Sequence, residues 1–353
     1  MPQTRLANID ALRGAAAFAV FLQHALMNID HGSSSGPVWT FAHTTLNTID
    51  LGRLGVVVFF LISGFVVPFS IKPDRPVVRF AVSRVFRLYP AFWVSLLLAG
   101  LVMAAAGRPP GLMQALANAS MAATVLGEDW MVGVYWTLFI EMLFYGLVAA
   151  LFVTVMLYRP LVIAGCAVLL ALTTLVPIAV PGSPLPVQYI GLHLSVLFCG
   201  LLLRLGLVEG KRSALVLAAL VVALQMVGAF IAAGYALETE HGFAAYSVSG
   251  TMLAYGLGFI AFVTVAVLVP PSTRALAHLA AVSYSVYLLH EVVNAALMQV
   301  LPPTGGWLDL VGVGISLALT LALAQLVHAL VERPGMALGR HLLRAKPAEL
   351  ATA

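Results

Sequence analysis

Charge is what this chain has least of. Only 9% of its 353 residues are Asp, Glu, Lys or Arg, and 61% are hydrophobic. Soluble domains carry about 25% charged and about 45–50% apolar residues. So little charge cannot cover a water-soluble surface, and the chain reads as an integral membrane protein. Cysteine is nearly absent: Cys166 and Cys199 both fall inside apolar runs. That argues against a disulfide framework or a thiolate metal centre and for buried thiols acting as small hydrophobes. Several chemical signatures are missing as well. There is no His-Glu-x-x-His helix, no Walker loop and no Gly-x-Ser-x-Gly elbow, and no metal is expected. The net charge of +4 does not argue for a nucleic-acid partner, because the basic residues sit at the ends of apolar runs, where topology accounts for them.

What is present in quantity is apolar sequence. Ten runs can cross about 30 Å of hydrocarbon: 9–30, 51–71, 88–107, 134–157, 160–180, 189–207, 214–235, 248–269, 279–300 and 308–330. Asp10 and Arg13 interrupt the first, and no small-residue cleavage site follows it, so it reads as a retained span. The stretch Leu112 to Leu126 is amphipathic and short, and is expected on the outer surface. An even count puts both termini on one side. If that side is cytoplasmic, all of the 18 Lys and Arg except Arg53 and Arg108 lie inside, a strong positive-inside bias. The loops carry turn residues such as Pro181-Gly182-Ser183-Pro184 and Pro302-Pro303-Thr304-Gly305-Gly306. The expected fold is all-α, a polytopic bundle of about ten helices with both termini cytoplasmic. Residues 1–335 form one transmembrane domain and 336–353 a short tail.

Against this background, ionisable residues inside spans stand out, because their burial is costly and usually functional. Arg13 and His24 are eleven residues apart, nearly one helix face and roughly 16 Å along the axis. His24 lies about 9 Å below the outer edge of its span, and Glu141 about 10 Å below that of the fourth. The matching depths suggest a carboxylate that orients the imidazole. Ser63-Gly64 is a small spot where a helix or a ligand can approach, packing being the better reading. The inner loop 72–88 is basic, and most of its charge reads as topological. Arg84 and Arg87, three apart, share a face if helical and suit phosphate oxygens or anionic headgroups. His290 and Glu291 are adjacent, so they face about 100° apart and are expected to need different partners. His31, His43, His241, His278 and His341 are expected in loops. Glu238-Thr239-Glu240-His241 reads as a solvated loop rather than a ligand cluster.

Taken in order, these segments resemble the bacterial acyltransferase-3 family of membrane O-acyltransferases that decorate cell-surface sugars. The matching segments are Asn8-Ile9-Asp10-Ala11-Leu12-Arg13-Gly14 with His24, Phe59-Phe60-x-x-Ser63-Gly64-Phe65, Arg84-x-x-Arg87-Leu88-Tyr89-Pro90, Trp136-Thr137-Leu138-x-x-Glu141-x-x-x-Tyr145, Ser283-Tyr284-Ser285-x-Tyr287-Leu288-Leu289-His290 and Glu332-Arg333-Pro334. The resemblance implies a ten-helix fold, acetyl-CoA bound from the cytoplasm, an essential His24 and a supporting Arg13. The chain departs from the pattern at Met142, where the family often has a second polar or acidic residue, and at Asn8-Ile9.

The resulting expectation is a multi-pass protein of the bacterial inner membrane that moves an acyl group from cytoplasmic acyl-CoA to a carbohydrate or glycolipid acceptor. His24 is the base or acyl-carrying nucleophile, with Glu141 and Arg13 in support. Arg84, Arg87, Arg79, Ser63 and Phe60 are the donor-binding candidates. Asp10, Trp136, Tyr145 and His290 are the acceptor-side candidates. The competing class is a proton-coupled transporter, which intramembrane His and Glu also suit, although internal repeats typical of transporters are not evident. A scaffold for partner proteins is the weakest reading.

Overall fold

The computed structural model describes residues 3–180, 187–239, 246–268 and 274–344. The Pro181–Pro184 turn and His241 lie outside the described residues. Among those described, the regular structure is helical throughout: α1 (Gln3–Gly32), α2 (Pro37–Thr48), α3 (Leu51–Val66), α4 (Pro76–Ala105), α5 (Leu112–Ala119), α6 (Trp136–Val153), α7 (Pro160–Leu172), α8 (Val176–Ala179), α9 (Val187–Leu207), α10 (Arg212–Thr239), α11 (Val248–Leu268), α12 (Arg274–Val300), α13 (Leu308–Val327) and α14 (Arg333–Leu342). Each of the ten apolar runs is helical for most of its length. Seven helical stretches are by themselves long and apolar enough to cross a membrane, so this is a multi-pass membrane fold.

Two boundaries differ from expectation. The basic stretch 72–88 is mostly helix, because α4 starts at Pro76, a residue whose fixed φ and missing N–H suit a first helical position. Pro90 lies inside α4, where its ring removes one backbone bond. The expected tail overlaps α14, which packs on α4. Gly335 sits against Pro90 and Gly339 against Phe86.

Helices α3 and α9 form the centre. Of their apolar stretches 72% and 78% is buried, against 22–39% for the other five. Their crossing depends on glycine. A Cβ on Gly64 would collide with the Leu197 carbonyl, and one on Gly200 with that of Leu61. Gly64 is therefore a packing residue, while its neighbour Ser63 faces a cavity. Around this pair, α1 lies on α3 and α12, and α12 on α4 and α13. At one rim the α12–α13 turn closes the α1–α2 turn: Gly305 (φ +78°) presents its carbonyl to the amides of Val38 and Trp39, while Asp309 accepts from the Gly305 amide at 2.7 Å.

Gly64→Val and Gly200→Val should force α3 and α9 apart. Overpacking costs typically about 1–3 kcal/mol, so both should melt several degrees lower in mild detergent. Gly146→Ala, which meets open space, should leave the midpoint unchanged. A parental melting point for Gly64→Val would show that the helices do not cross there.

Candidate functional site

Helices α1 and α12 bring three ionisable side chains together. His24 Nε2 lies 3.0 Å from Glu291 Oε1. His24 Nδ1 lies 3.1 Å from His290 Nε2 and 2.9 Å from the Val20 carbonyl. The second carboxylate oxygen of Glu291 accepts the Val134 amide at 3.1 Å. Adjacent residues 290 and 291 thus share one partner, contrary to expectation. An imidazole has nitrogens on opposite edges, so two side chains about 100° apart on a helix can hold both.

The network also assigns protons. His290 Nδ1 faces the Tyr287 carbonyl at 2.7 Å and that of Val286 at 3.3 Å, so this nitrogen carries hydrogen. The other nitrogen of the neutral ring then accepts from His24 Nδ1–H. One proton remains to be shared between His24 Nε2 and Glu291. Gly133 makes room for that carboxylate: a Cβ there would stand 3.1 Å from Oε1 and 3.3 Å from Oε2.

Glu141 is not at His24. Its carboxylate accepts from Ser63 Oγ at 3.1 Å and from the Tyr145 hydroxyl at 2.5 Å. The depth estimate fails because the turn leading into α6 meets the His24–Glu291 pair at Val134, and Glu141 lies about seven residues, or roughly 10 Å, further on. There it joins Arg13, Arg84 and Arg87 on the wall of a cleft holding about 700 Å³ of free space, its open mouth included. Phe59, Phe60, Ser63, Tyr145 and Tyr284 complete much of that wall. Arg13 therefore serves this cleft rather than touching His24, as its distance along α1 requires.

Within the cleft, Arg84 Nη2 donates to Ser70 Oγ at 2.8 Å, and its buried Nε has no partner among the described residues. Arg87 contacts Met336 Sδ at 3.9 Å. Arg79 is elsewhere. It pairs with Asp74 at 2.9 Å, because five residues from Arg84 is about 140° around a helix.

Two further clefts reach His24. One is lined by Gln23, Asp50, Arg53, Trp136 and Tyr246. Asp50 caps α3 through the Arg53 amide at 2.7 Å and pairs with its guanidinium at 3.3 Å. Burial, reinforced by Asp30 and Asp50, pushes the Tyr246 phenol up to about 12, so it is protonated at neutral pH. Trp136 packs edge-on to His193, with ring centres 5.0 Å apart. The other cleft exposes Glu291 between α4 and α12. Val56 and Tyr287 line both the arginine cleft and the Asp50 cleft, joining them wall to wall. The Tyr287 hydroxyl bonds Thr137 Oγ1 at 2.8 Å and donates to the Val134 carbonyl at 3.2 Å.

The structure thus unites His24 with His290, and Arg13 with Arg84, Arg87, Glu141, Ser63, Phe60 and Tyr145. Trp136 borders the Asp50 cleft. Asp10 belongs to α1, but its side chain lies outside the described residues. Glu291, Asp50 and Arg53 were not among the expected site residues. Glu291 carried one signal, its place beside His290; Arg53 was counted only as a charge on the outer side, and Asp50 was not singled out.

A helical membrane protein whose imidazole–carboxylate pair stands where clefts meet is built for group transfer. The chain matches the acyltransferase domain over residues 6–329 and belongs to that family. Among curated relatives it is similar to Nodulation protein 10 of Rhizobium leguminosarum bv. viciae, 28% identical over 39% of this chain and 42% of that one. It is also similar to Acyltransferase MdmB of Streptomyces mycarofaciens, 31% identical over 30% of this chain and 26% of that one. The chain thus spans less than half the length of either relative. No solved structure matches it significantly.

Tyr145→Phe removes one side-chain hydrogen bond to the Glu141 carboxylate. Bonds to charged groups are worth about 1.5–3 kcal/mol, so stability in detergent should fall by about that much. Adding Glu141→Gln should recover part of the loss. Strictly additive effects would show the two groups are uncoupled.

Proposed function

We propose that this protein is an O-acyltransferase that takes an acyl group, in the simplest case acetyl, from acyl-CoA at the arginine-lined end. It delivers the group to a hydroxyl of a glycan or related acceptor at the His24 end. The observation that carries this reading is the wall shared by the two clefts at Val56 and Tyr287. It links a cationic, aromatic-walled entrance to a base. Guanidinium groups suit the phosphates of coenzyme A, and the unpartnered Nε of Arg84 is one ready donor. The long, mostly uncharged pantetheine arm suits walls such as Phe59, Phe60 and Tyr284.

In the reaction, the acceptor oxygen attacks the thioester carbon as its proton passes to the Glu291 carboxylate, the basic site left open when the shared proton lies on His24 Nε2. The carbon–sulfur bond breaks, and the leaving thiolate takes that proton. Both nitrogens of His24 are already engaged, which speaks against an acyl-histidine and leaves Glu291, oriented by His24, as the proton acceptor. His290 holds the tautomer. Glu141 tempers the positive charge of the donor cleft rather than orienting the base. The distribution of Lys and Arg supports placing the arginine end in the cytoplasm of a bacterial inner membrane. Family membership weighs for transfer and against the transporter reading.

In nanodiscs, His24→Ala should abolish acetyl transfer from labelled acetyl-CoA to cell-envelope glycans while the protein still folds, melting lower because Glu291 loses its partner. Retained transfer would remove His24 from the chemistry. Glu291→Gln should lower kcat by about 10²-fold or more, the usual range of general base catalysis, and leave KM for acetyl-CoA nearly unchanged. Arg84→Ala with Arg87→Ala should cancel the rise in melting temperature that coenzyme A gives the parent by mass action. An undiminished shift would place the donor elsewhere.

A further inference from the structure

The cleft between α4 and α12 has no part yet in the reaction. It joins the Asp50 cleft at His24 and Gly133, which line both. Gly133 lets the two meet beside Glu291: a Cβ there would stand 3.1 Å from Oε1. Their chemistry differs. Gln23, Asp50, Arg53 and Tyr246 line the Asp50 cleft, which suits a hydroxyl-rich molecule. Ala99, Val102, Met103, Met131 and Ala295 line the α4–α12 cleft, an aliphatic and thioether surface that adapts to flexible chains. Beyond His24 and Glu291, the polar members of its lining are Asn28 and Asn294. The apolar wall starts at the catalytic pair. Ala295 is about one turn from Glu291 on α12, roughly 6 Å along the axis, and Ala99 and Met103 have the same spacing on α4.

Besides the former carbonyl oxygen, the carbon under attack carries the departing sulfur, the entering oxygen and the acyl chain. The clefts that join here can house each of these arms. The arginine cleft meets the Asp50 cleft at Val56 and Tyr287, and the Asp50 cleft meets the α4–α12 cleft at His24 and Gly133. The first suits the coenzyme and the second the acceptor, so the acyl chain matches the last. We infer that the α4–α12 cleft is an acyl-chain subsite, and that the protein prefers donors whose acyl group is a few carbons longer than acetyl. The thioester carbon sits beside Glu291, and its chain runs along Ala99 and Met103. No bond in the chain changes: its carbonyl carbon exchanges sulfur for oxygen, while the acceptor proton passes to Glu291 and on to the thiolate. Met103 is a specificity residue here, not part of the proton path. This deepens the acyltransferase reading and rests on it for the identity of the donor.

The test uses the full chain in nanodiscs. With cell-envelope glycans as acceptor, kcat/KM for butanoyl-CoA should exceed that for acetyl-CoA about tenfold, since each added methylene gains about fourfold on burial. Ala295→Leu, which fills the cleft from an exposed position, should cut this ratio about tenfold. Leu101→Phe, at a position 59% exposed on α4 and off the cleft wall, should leave the ratio alone. Without turnover, Met103→Cys is labelled with maleimide and read by peptide mass spectrometry, which separates it from Cys166 and Cys199. S-butyl-coenzyme A should slow labelling several-fold, and coenzyme A should not. Acetyl-CoA used as well as butanoyl-CoA, a ratio unmoved by Ala295→Leu, or labelling that both coenzymes slow equally or not at all overturns the inference. Equal protection by butanol at the same concentration would mark a groove for membrane lipid and overturn it too. Loss of the acyltransferase reading shows separately, as absence of the melting shift that coenzyme A itself gives, and takes the inference with it.

Discussion

Everything in this bundle is arranged around one imidazole held by both of its edges. His24 contacts Glu291 through Nε2 and His290 through Nδ1, and the carboxylate is completed by the Val134 amide. A charge-bearing pair inside an apolar bundle is tolerable only when its polar atoms are matched. That requirement fixes the register of α1 against α12 and the level at which α6 begins. Shifting any of these helices by one residue would leave a buried polar group unmatched.

A second set of bonds secures the arginine end. Tyr284 donates to the Leu88 carbonyl at 2.8 Å, close to Pro90, where α4 has lost a backbone donor. Ser285 donates to Glu332 at 3.1 Å, and His328 meets the same carboxylate at 2.9 Å. Glu332 closes a π-helical turn, His328–Glu332, of the kind that often marks functional positions. Beyond it, α14 packs on α4 through Gly335 and Gly339 and brings Met336 to Arg87. Segments far apart in sequence therefore meet on the helices that shape the arginine-lined cleft.

The class of fold was legible from composition alone, because 61% hydrophobic residues leave few alternatives to a helical bundle. His24, and the pairing of Arg84 with Arg87, were legible because helical periodicity orders residues within one helix. What composition and periodicity do not carry is the relative height of two helices. Glu141 was matched to His24 on the assumption that spans start level, and the turn before Trp136 breaks that assumption. Arg79 was grouped with its neighbours by proximity in sequence, whereas the helix turns it away. Glu291 was passed over because adjacent residues were expected to part company; ring geometry allows them to converge. Arg53 was weighed only for topology and Asp50 was not singled out, although the carboxylate starts α3.

The partition at Tyr287 has a bearing on the membrane itself. Its ring packs edge-on to Phe59, with centres 5.5 Å apart, and its hydroxyl is tied to Thr137 and the Val134 carbonyl. A continuous watery bore through such a bundle would short-circuit the ion gradients that energise a cell. An aromatic ring whose polar atom is already committed to the protein offers water no free partner where the two clefts share a wall, while its apolar face does not bar an uncharged arm. A bundle partitioned in this way discourages ion leakage without needing a solid wall.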